Sequence, residues 1–318
     1  MKKSTHVMTT LSVAIVIVGA FTAPSGAQKY SEWSAPVNLG PNVNSAFLDR
    51  APAISKDGLS LYFGSSRPNG FGGEDIYVSQ RATRDHEWGP PVNLGPIINT
   101  DTNESVPAFS RDGHLMFFSS GRTGSAGVDI WVSRREDTHD EFAWQPPENL
   151  GPGVNSTATD AGPAYFENDE VGVAQLYFNS NRPGVGLGMA NIYVSEQLAD
   201  GSFGPASLVV ELSATGESNR ASIRHDGREI FFTSTRPGSI PTGTPVGNST
   251  DLWVATRETV FDPWSEPINL GSTVNSAQIE VQPYLSSDRE TLFFASIRPD
   301  GFGNTDIYMT TRTKRPEK

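Results

Sequence analysis

The sequence predicts an all-β fold, a five-bladed β-propeller of four-stranded antiparallel blades, and three observations predict it. First, a composite motif recurs five times: a short Φ-x-F strand, S-x-R-P/T, a glycine-rich tip, then D/N-I/L-Y/W-V/M. The steps from Ile76 to Ile130, Ile192, Leu252 and Ile307 are 54, 62, 60 and 55 positions, a blade-like period with long connections. Second, the central strands are apolar on both faces: Leu61 and Phe63 point one way and Tyr62 the other. Met116-Phe117-Phe118, Leu176-Tyr177-Phe178, Ile230-Phe231-Phe232 and Leu292-Phe293-Phe294 behave alike. A sheet wet on one side would alternate apolar and polar residues, so each sheet must be covered twice, as radially stacked blades are. Third, glycine and proline recur at turns throughout, and no long stretch carries helical periodicity.

Within the first repeat, Ala51 to Ser55 is an extended segment ended by the Asp57-Gly58 turn, and Leu59 to Ser65 is a second strand. After the Arg67 loop, Glu74 to Ser79 is a third strand, and Trp88 to Gly95 supplies a fourth. The fourth-strand element W-x-x-P-x-N-L-G stands at Trp33, Trp88, Trp144 and Trp264, with a degenerate copy at Phe203 to Leu212. One copy precedes the first blade and none follows the last. The N-terminal strand is therefore expected to complete blade five, so that no blade is left with an open edge at the seam.

Lys2 and Lys3, an apolar run from Leu11 to Phe21 and the small residues Ser25-Gly26-Ala27 have the pattern of a secretory signal peptide over 1–27, cleaved before Gln28. An uncleaved anchor is the alternative, but the run is short for a membrane span. Residues 28–318 then form one propeller domain, expected to be monomeric, periplasmic or secreted, with no membrane span after cleavage. There is no cysteine, so stability must come from packing. Without Lys2 and Lys3, 22 basic residues face 36 acidic ones, a charge of about −14. That field disfavours nucleic acid and leaves an envelope protein or a glycan as the expected partner.

The combination N-L-G-x-x-x-N-S/T, P-A-x-S-x-D-G and L-Y-F-x-S-x-R-P-x-G-x-G-x-x-D-I-Y-V resembles the TolB-type, WD40-like β-propeller repeats of exported bacterial proteins. The resemblance covers essentially the whole chain after the leader. It implies the propeller fold and a role in envelope assembly or binding. TolB has an additional N-terminal domain that this chain is expected to lack, so a Tol-system role does not carry over.

Three polar sets recur once per blade. Asp49, Glu104, Asp160, Ser218 and Glu280 open the innermost strand; Arg67, Arg122, Arg182, Arg236 and Arg298 follow the second; Asp75, Asp129, Asn191, Asp251 and Asp306 open the third. Alternating connections bring all three to one rim. Each arginine is expected to sit between two carboxylates as a structural blade staple, since a catalytic group is needed once and these recur in every blade. A charged ring holding a cation, a sugar or a basic side chain is the functional alternative.

Departures from the repeat direct the search for a unique site to blades three and four. Blade four has Ser218 in place of an acid, introduces Arg220 and extends its loop over 237–250; blade three lengthens its first turn through Glu167 to Gln175 and has Asn191 for Asp. Phe71, Leu187 and Phe302 stand at glycine-flanked tips, where they could meet a ligand or tuck against the next blade.

The histidines His6, His86, His114, His139 and His225 have no metal-ligand spacing, and there is no nucleophile elbow or phosphate loop. No catalytic residue, metal or cofactor is assigned. The favoured reading is a non-catalytic binding or scaffolding propeller that uses Asp49, Glu104, Asp160, Glu280, Arg220, Phe71 and Phe302 at a rim or channel mouth. The alternative is a carbohydrate-active enzyme using the channel carboxylates Asp49, Glu104, Asp160 and Glu280. A repeat arginine beside each of them works against a general-acid role.

Overall fold

The computed structural model describes residues 30–168, 170, 172–183, 189–213, 216–242 and 249–315. The leader expected over 1–27 and Leu187 lie outside the described residues. Among the described residues no helix is long and apolar enough to cross a membrane.

The chain opens with β1 (Val37–Asn38) and then builds four blades in sequence. Blade one is β2 (Asp49–Ile54), β3 (Ser60–Ser65), β4 (Asp75–Gln80) and β5 (Val92–Asn93). Blade two is β6 (Glu104–Phe109), β7 (Leu115–Ser120), β8 (Asp129–Arg134) and β9 (Glu148–Asn149). Blade three is β10 (Asp160–Asn168), β11 (Val173–Ser180), β12 (Asn191–Glu196) and β13 (Ser207–Leu208). Blade four is β14 (Ser218–Ile223), β15 (Glu229–Ser234), β16 (Asp251–Thr256) and β17 (Ile268–Asn269). Blade five runs β18 (Glu280–Leu285), β19 (Thr291–Ser296) and β20 (Asp306–Thr311), and β1 adds its outer strand. Val37 pairs with Met309 and Asn38 with Tyr308, which is the expected closure. The outer strands are only two residues long, shorter than the sequence suggests, because Pro36, Pro91, Pro147 and Pro267 bring no N–H to the ladder just before them.

The core lies between blades, one packed layer at each junction. Leu61 and Phe63 meet Phe293 and Ile307 of blade five, while Tyr62, on the other face of β3, meets Met116 and Phe118 of blade two. All six residues of β3 are buried. Each such large side chain contributes about 1.5–3 kcal/mol on burial.

The N-L-G-x-x-x-N motif is a latch from each outer strand to the strand inside it. Asn93 donates to Asp75 Oδ2 at 2.8 Å, while its Oδ1 accepts from the Gly95 N–H and from Asn99. Asn99 then bonds both the N–H and the C=O of Ile76. The same set recurs with Asn149 and Asn155 on Asp129 and Ile130, and with Asn269 and Asn275 on Asp251 and Leu252. At the seam Asn38 and Asn44 do this for Asp306 and Ile307, across more than 260 residues of sequence. Blade three breaks both halves of the latch, with Asn191 for the acid and Leu208 for the asparagine.

The repeat arginines are staples, with different partners from those expected. Arg67 does not bridge two carboxylates. Its fork reaches Ser65, the Val43 carbonyl and Asp49 at 2.7 Å, and its plane lies over Phe63 and Tyr77 at 5.3 and 5.0 Å. Arg122, Arg182 and Arg298 repeat the arrangement with Glu104, Asp160 and Glu280. The third-strand acid faces elsewhere: Asp75 accepts the N–H groups of Phe71 and Gly72 and so fixes the loop tip. In blade four Arg236 donates to Ser218, Ser234 and the Leu212 carbonyl, and burial lowers it to about 10 against the charge of Glu266.

A second arginine set escaped the sequence reading. Arg81, Arg135, Arg257 and Arg312 follow the third strand and stack on Trp88, Trp144, Trp264 and Trp33 at 4.3, 4.4, 4.1 and 4.5 Å. These contacts fix the segment leading into each outer strand.

Two outcomes follow for stability. Deleting residues 28–40 removes β1 and Asn38 and is expected to give aggregated or unfolded protein; a soluble truncation with an unchanged melting profile would show that the ring does not depend on this closure. Arg182→Ala strands the fully buried Asp160 without its cation and is expected to cost about 3–5 kcal/mol in denaturant unfolding. Arg236→Met, facing Ser218, should cost clearly less, and equal losses would argue that stacking, not charge pairing, dominates the staple.

Candidate functional site at the channel mouth

The site begins with a backbone irregularity shared by all five innermost strands. Each carries a bulge after its second residue, seen as register shifts between Arg50 and Ala53, Ser105 and Ala108, Ala161 and Ala164, Asn219 and Ser222, and Val281 and Tyr284. The third residue adopts positive φ every time: Ala51 at 54°, Val106 at 55°, Gly162 at 65°, Arg220 at 54° and Gln282 at 60°. For non-glycine residues this is strained, and the four of them, Ala51, Val106, Arg220 and Gln282, line the channel.

The N–H groups turned out of the ladder are caught by neighbouring blades. Gly162 donates to Ser119 Oγ, Arg220 to Asn179 Oδ1, and Gln282 to Thr233 Oγ1. Ala51 donates to Gln282 Oε1. The residue that would serve at the junction of blades one and two is Gly64, which has no side chain to offer. Its empty flank is filled by the Glu74 carboxylate, and a methyl group there would overlap it.

Glu74 therefore turns inward where the other blades have Val128, Ala190, Thr250 and Thr305. Arg50 grips it bidentately, Nε to Oε1 at 3.0 Å and Nη2 to Oε2 at 2.5 Å. Burial acts to lower Arg50, but the hydrogen bond and charge of Glu74 outweigh it and raise the guanidinium.

Arg220 approaches from blade four. Its stem lies against Gly162 of blade three, where a side chain would crowd it. Burial pulls Arg220 down to about 10, the Arg50 charge adds to the fall, and Glu74 and Glu217 oppose it. Arg220 Nη1 is buried without a hydrogen-bond partner. Two carboxylates from separate blades thus act on one guanidinium that still has a donor to give. The channel below holds about 100 Å³, enough for a few waters and too little for a sugar ring, so a ligand at this mouth sits on the rim.

The carboxylates singled out by sequence lie deeper. Asp49, Glu104, Asp160 and Glu280 are 0% exposed. Asp49 accepts from the Ser45 N–H and hydroxyl, from Ser65 and from Arg67, which fills its acceptor capacity. Arg220 stands at the channel as the departures of blade four suggested, but its carboxylate neighbour Glu74 comes from blade one. The signal was present in the sequence as two coupled departures, Gly64 and Glu74. Phe71 and Phe302 project from tips fixed by Asp75 and Asp306 and are each 48% exposed; Phe47 joins them at 42%. Among the described residues no group of acids and histidines is arranged to hold a metal ion.

No protein-family profile matches the chain, and no curated protein sequence does. Solved structures do share its fold. The catalytic domain of a GH62 α-L-arabinofuranosidase from Coprinopsis cinerea matches at TM-score 0.55 and 10% identity over 90% of this chain and 98% of that one. A GH43 endo-arabinanase from Bacillus licheniformis matches at 0.57 and 13% over 84% and 94%. Putative TolB from Agrobacterium tumefaciens aligns at 0.47 and 15% over 91% and 99%, too distant to carry an argument. These likenesses bear out the five-bladed propeller. They overturn the non-catalytic, TolB-like binding and scaffolding expectation, because the structures that share this architecture include arabinofuranosidases and arabinanases. Repetition of the polar sets argued against catalysis only so long as they were the sole polar groups near the channel, and Glu74 with Arg50 is not repeated.

Proposed function

We propose that the protein is a glycoside hydrolase that cleaves a glycan at the channel mouth carrying Glu74, Arg50, Arg220 and Glu217. The observation that carries the reading is the unrepeated pair of carboxylates acting on Arg220, whose Nη1 is buried and unpartnered. Support also comes from the arabinose-releasing enzymes among the structures of like fold, which makes arabinose-containing polysaccharide the first substrate class to test.

In this reading Glu74, with both oxygens held by Arg50, is the fixed carboxylate that accepts a proton from the attacking water. The water oxygen bonds to the anomeric carbon as the glycosidic C–O bond breaks. Glu217 delivers a proton to the departing oxygen, so two carboxyl groups exchange roles across one bond. Arg220 Nη1 donates to a sugar oxygen and orients the ring. Phe47, Phe71 and Phe302 offer exposed aromatic faces on the same rim for further sugar units. We also propose that the chain is exported, on the leader pattern of residues 1–27, which would bring it to extracellular polysaccharide.

The test is release of reducing sugar from arabinan and from a panel of other glycans. Wild-type turnover is expected, with Glu74→Gln and Glu217→Gln each lowering kcat by about 10²–10⁴-fold while circular dichroism is unchanged. Arg220→Met should act chiefly by raising KM. Absence of turnover across the panel, or turnover indifferent to both glutamine variants, would refute this assignment.

A further inference from the structure

The second arginine set closes the ends of the blade junctions that lie away from the cleaving mouth. Arg312 crosses from blade five to Glu229 of blade four, Nη1 to Oε1 at 2.9 Å and Nη2 to Oε2 at 2.6 Å. Arg135 of blade two acts with Glu141, which accepts from Ser60 and Tyr62 of blade one. Arg81 of blade one holds the Arg84 carbonyl, and Arg84 pairs with Asp288 of blade five at 2.6 Å. Arg257 of blade four acts on Tyr177 of blade three. Blade three has no such arginine. Gln197 stands in its place and Phe203 in that of the tryptophan, and Gln197 Nε2 turns back to the Gly201 carbonyl of its own loop at 3.1 Å.

The junction of blades two and three is therefore packed within and open at this end. Phe117 stacks on Tyr165 at 4.7 Å and meets Phe203 edge-on at 6.2 Å. Next to them lies an open cleft of about 500 Å³, lined by His114, Leu115, Arg134, Arg135, Glu136 and Gln145 of blade two. Leu115, which packs against the core of this junction, has the strand position of Ser60 and Glu229, the residues that Glu141 and Arg312 cover elsewhere. Arg135 is spent on Glu141, two carbonyls and the Trp144 ring, and so fixes the backbone that carries the others. Arg134, directly opposite Leu115, is exposed, as are Glu136 and Gln145. Among the described residues the side chains of these three make no hydrogen bond or ion pair. His114 uses Nδ1 on the Arg135 carbonyl at 2.8 Å, so in the neutral ring Nε2 is left as an acceptor.

We infer that this cleft is a second carbohydrate-binding site, which holds a unit of a neutral polysaccharide away from the cleaving mouth. Its volume is in the range of about 300–1,000 Å³ that small-ligand sites occupy. Arg134 donates, Glu136 and His114 Nε2 accept, and Gln145 does both, which is what a row of hydroxyls needs, since each hydroxyl both donates and accepts. One cation beside one anion favours neither an anionic nor a cationic ligand, and Leu115 offers an apolar floor to the C–H face of a sugar ring. The inference rests on the proposed glycan hydrolysis only for the choice of ligand, because Glu74, Arg50, Arg220 and Glu217 take no part in it. A polymer held here keeps its other units at raised concentration near the enzyme.

The experiment is native electrophoresis of the full chain through gels containing arabinan, xylan or galactan, with the mouth disabled by Glu74→Gln/Arg220→Met. Retardation by at least one polymer is expected, and adding Arg134→Ser/Gln145→Ser should weaken it at least about tenfold. The His114 ring, assigned by NMR with His114→Gln, should shift saturably with oligosaccharides of the retarding polymer. The inference fails if none of the three polymers retards the disabled chain, if the cleft variant is retarded as strongly, or if the His114 ring does not respond. Retardation without turnover in the hydrolysis assay would refute the cleaving mouth and keep the cleft; turnover without retardation of the disabled chain would do the reverse. Arg134 and Gln145 are exposed, so melting should be unchanged; if the cleft variant unfolds, Arg134→Ser alone, expected to weaken retardation severalfold, decides by the same gels.

Discussion

A blade that is apolar on both faces has no stable existence by itself. β3 is buried along its whole length, and its two faces belong to two different cores, one shared with blade five and one with blade two. Each blade therefore needs a neighbour on either side, and only a closed ring provides that for all five. Closure in turn makes β1 part of the last sheet and gives Asn38 and Asn44 their long reach to Asp306 and Ile307. The ring brings five innermost strands together around an axis, where bulges turn backbone N–H groups toward adjacent blades. The channel and both of its mouths are consequences of that packing.

The same constraint divides the polar residues into two kinds. Groups that recur from blade to blade satisfy needs that recur: the staple arginine spans two aromatic rings and, in all but blade four, a buried acid, and the latch asparagines of all but blade three close loops that cannot pair in the sheet. Groups that occur once have no such need to explain them. Glu74 stands beside Gly64 because that junction lacks the side chain that Ser119, Asn179 and Thr233 supply elsewhere, and Arg220 has room because Gly162 has none. Glu74 and Arg220 are each matched by a glycine in a neighbouring strand or blade, so the space and the charge were set together.

The fold was legible because it rests on periodic signals. The double-sided apolar strands, the five copies of the arginine motif and the offset copies of W-x-x-P-x-N-L-G led to five blades and to closure by the N-terminal strand. The staple partners were less legible, since sequence places Asp75 and Asp49 on one rim without showing that Asp75 is consumed by the Phe71 and Gly72 N–H groups. The positive φ of Arg220 and Val106 has no residue signature at all, because the bulge comes from strand geometry and not from glycine. Comparison of blades pointed to three and four, where departures are many. Blade one departs at only two positions, and a glycine with a neighbouring acid is inconspicuous until their side-chain space is seen to be shared.

Arg220 connects this architecture to chemistry. Lowered to about 10, it remains almost wholly protonated at neutral pH, since three units leave about one part in a thousand neutral. A charged guanidinium with a buried, unpartnered Nη1 costs the folded protein about 1–3 kcal/mol, and a hydrophobic side chain over Gly162 would avoid that cost. Glu74 does not relieve it, because its carboxylate is turned to Arg50 and makes no hydrogen bond to Arg220 Nη1. The folded state thus carries an unmet donor at a mouth where two carboxylates converge. An acceptor brought by a ligand would meet it, and the stabilisation withheld from folding would then appear as binding at the rim.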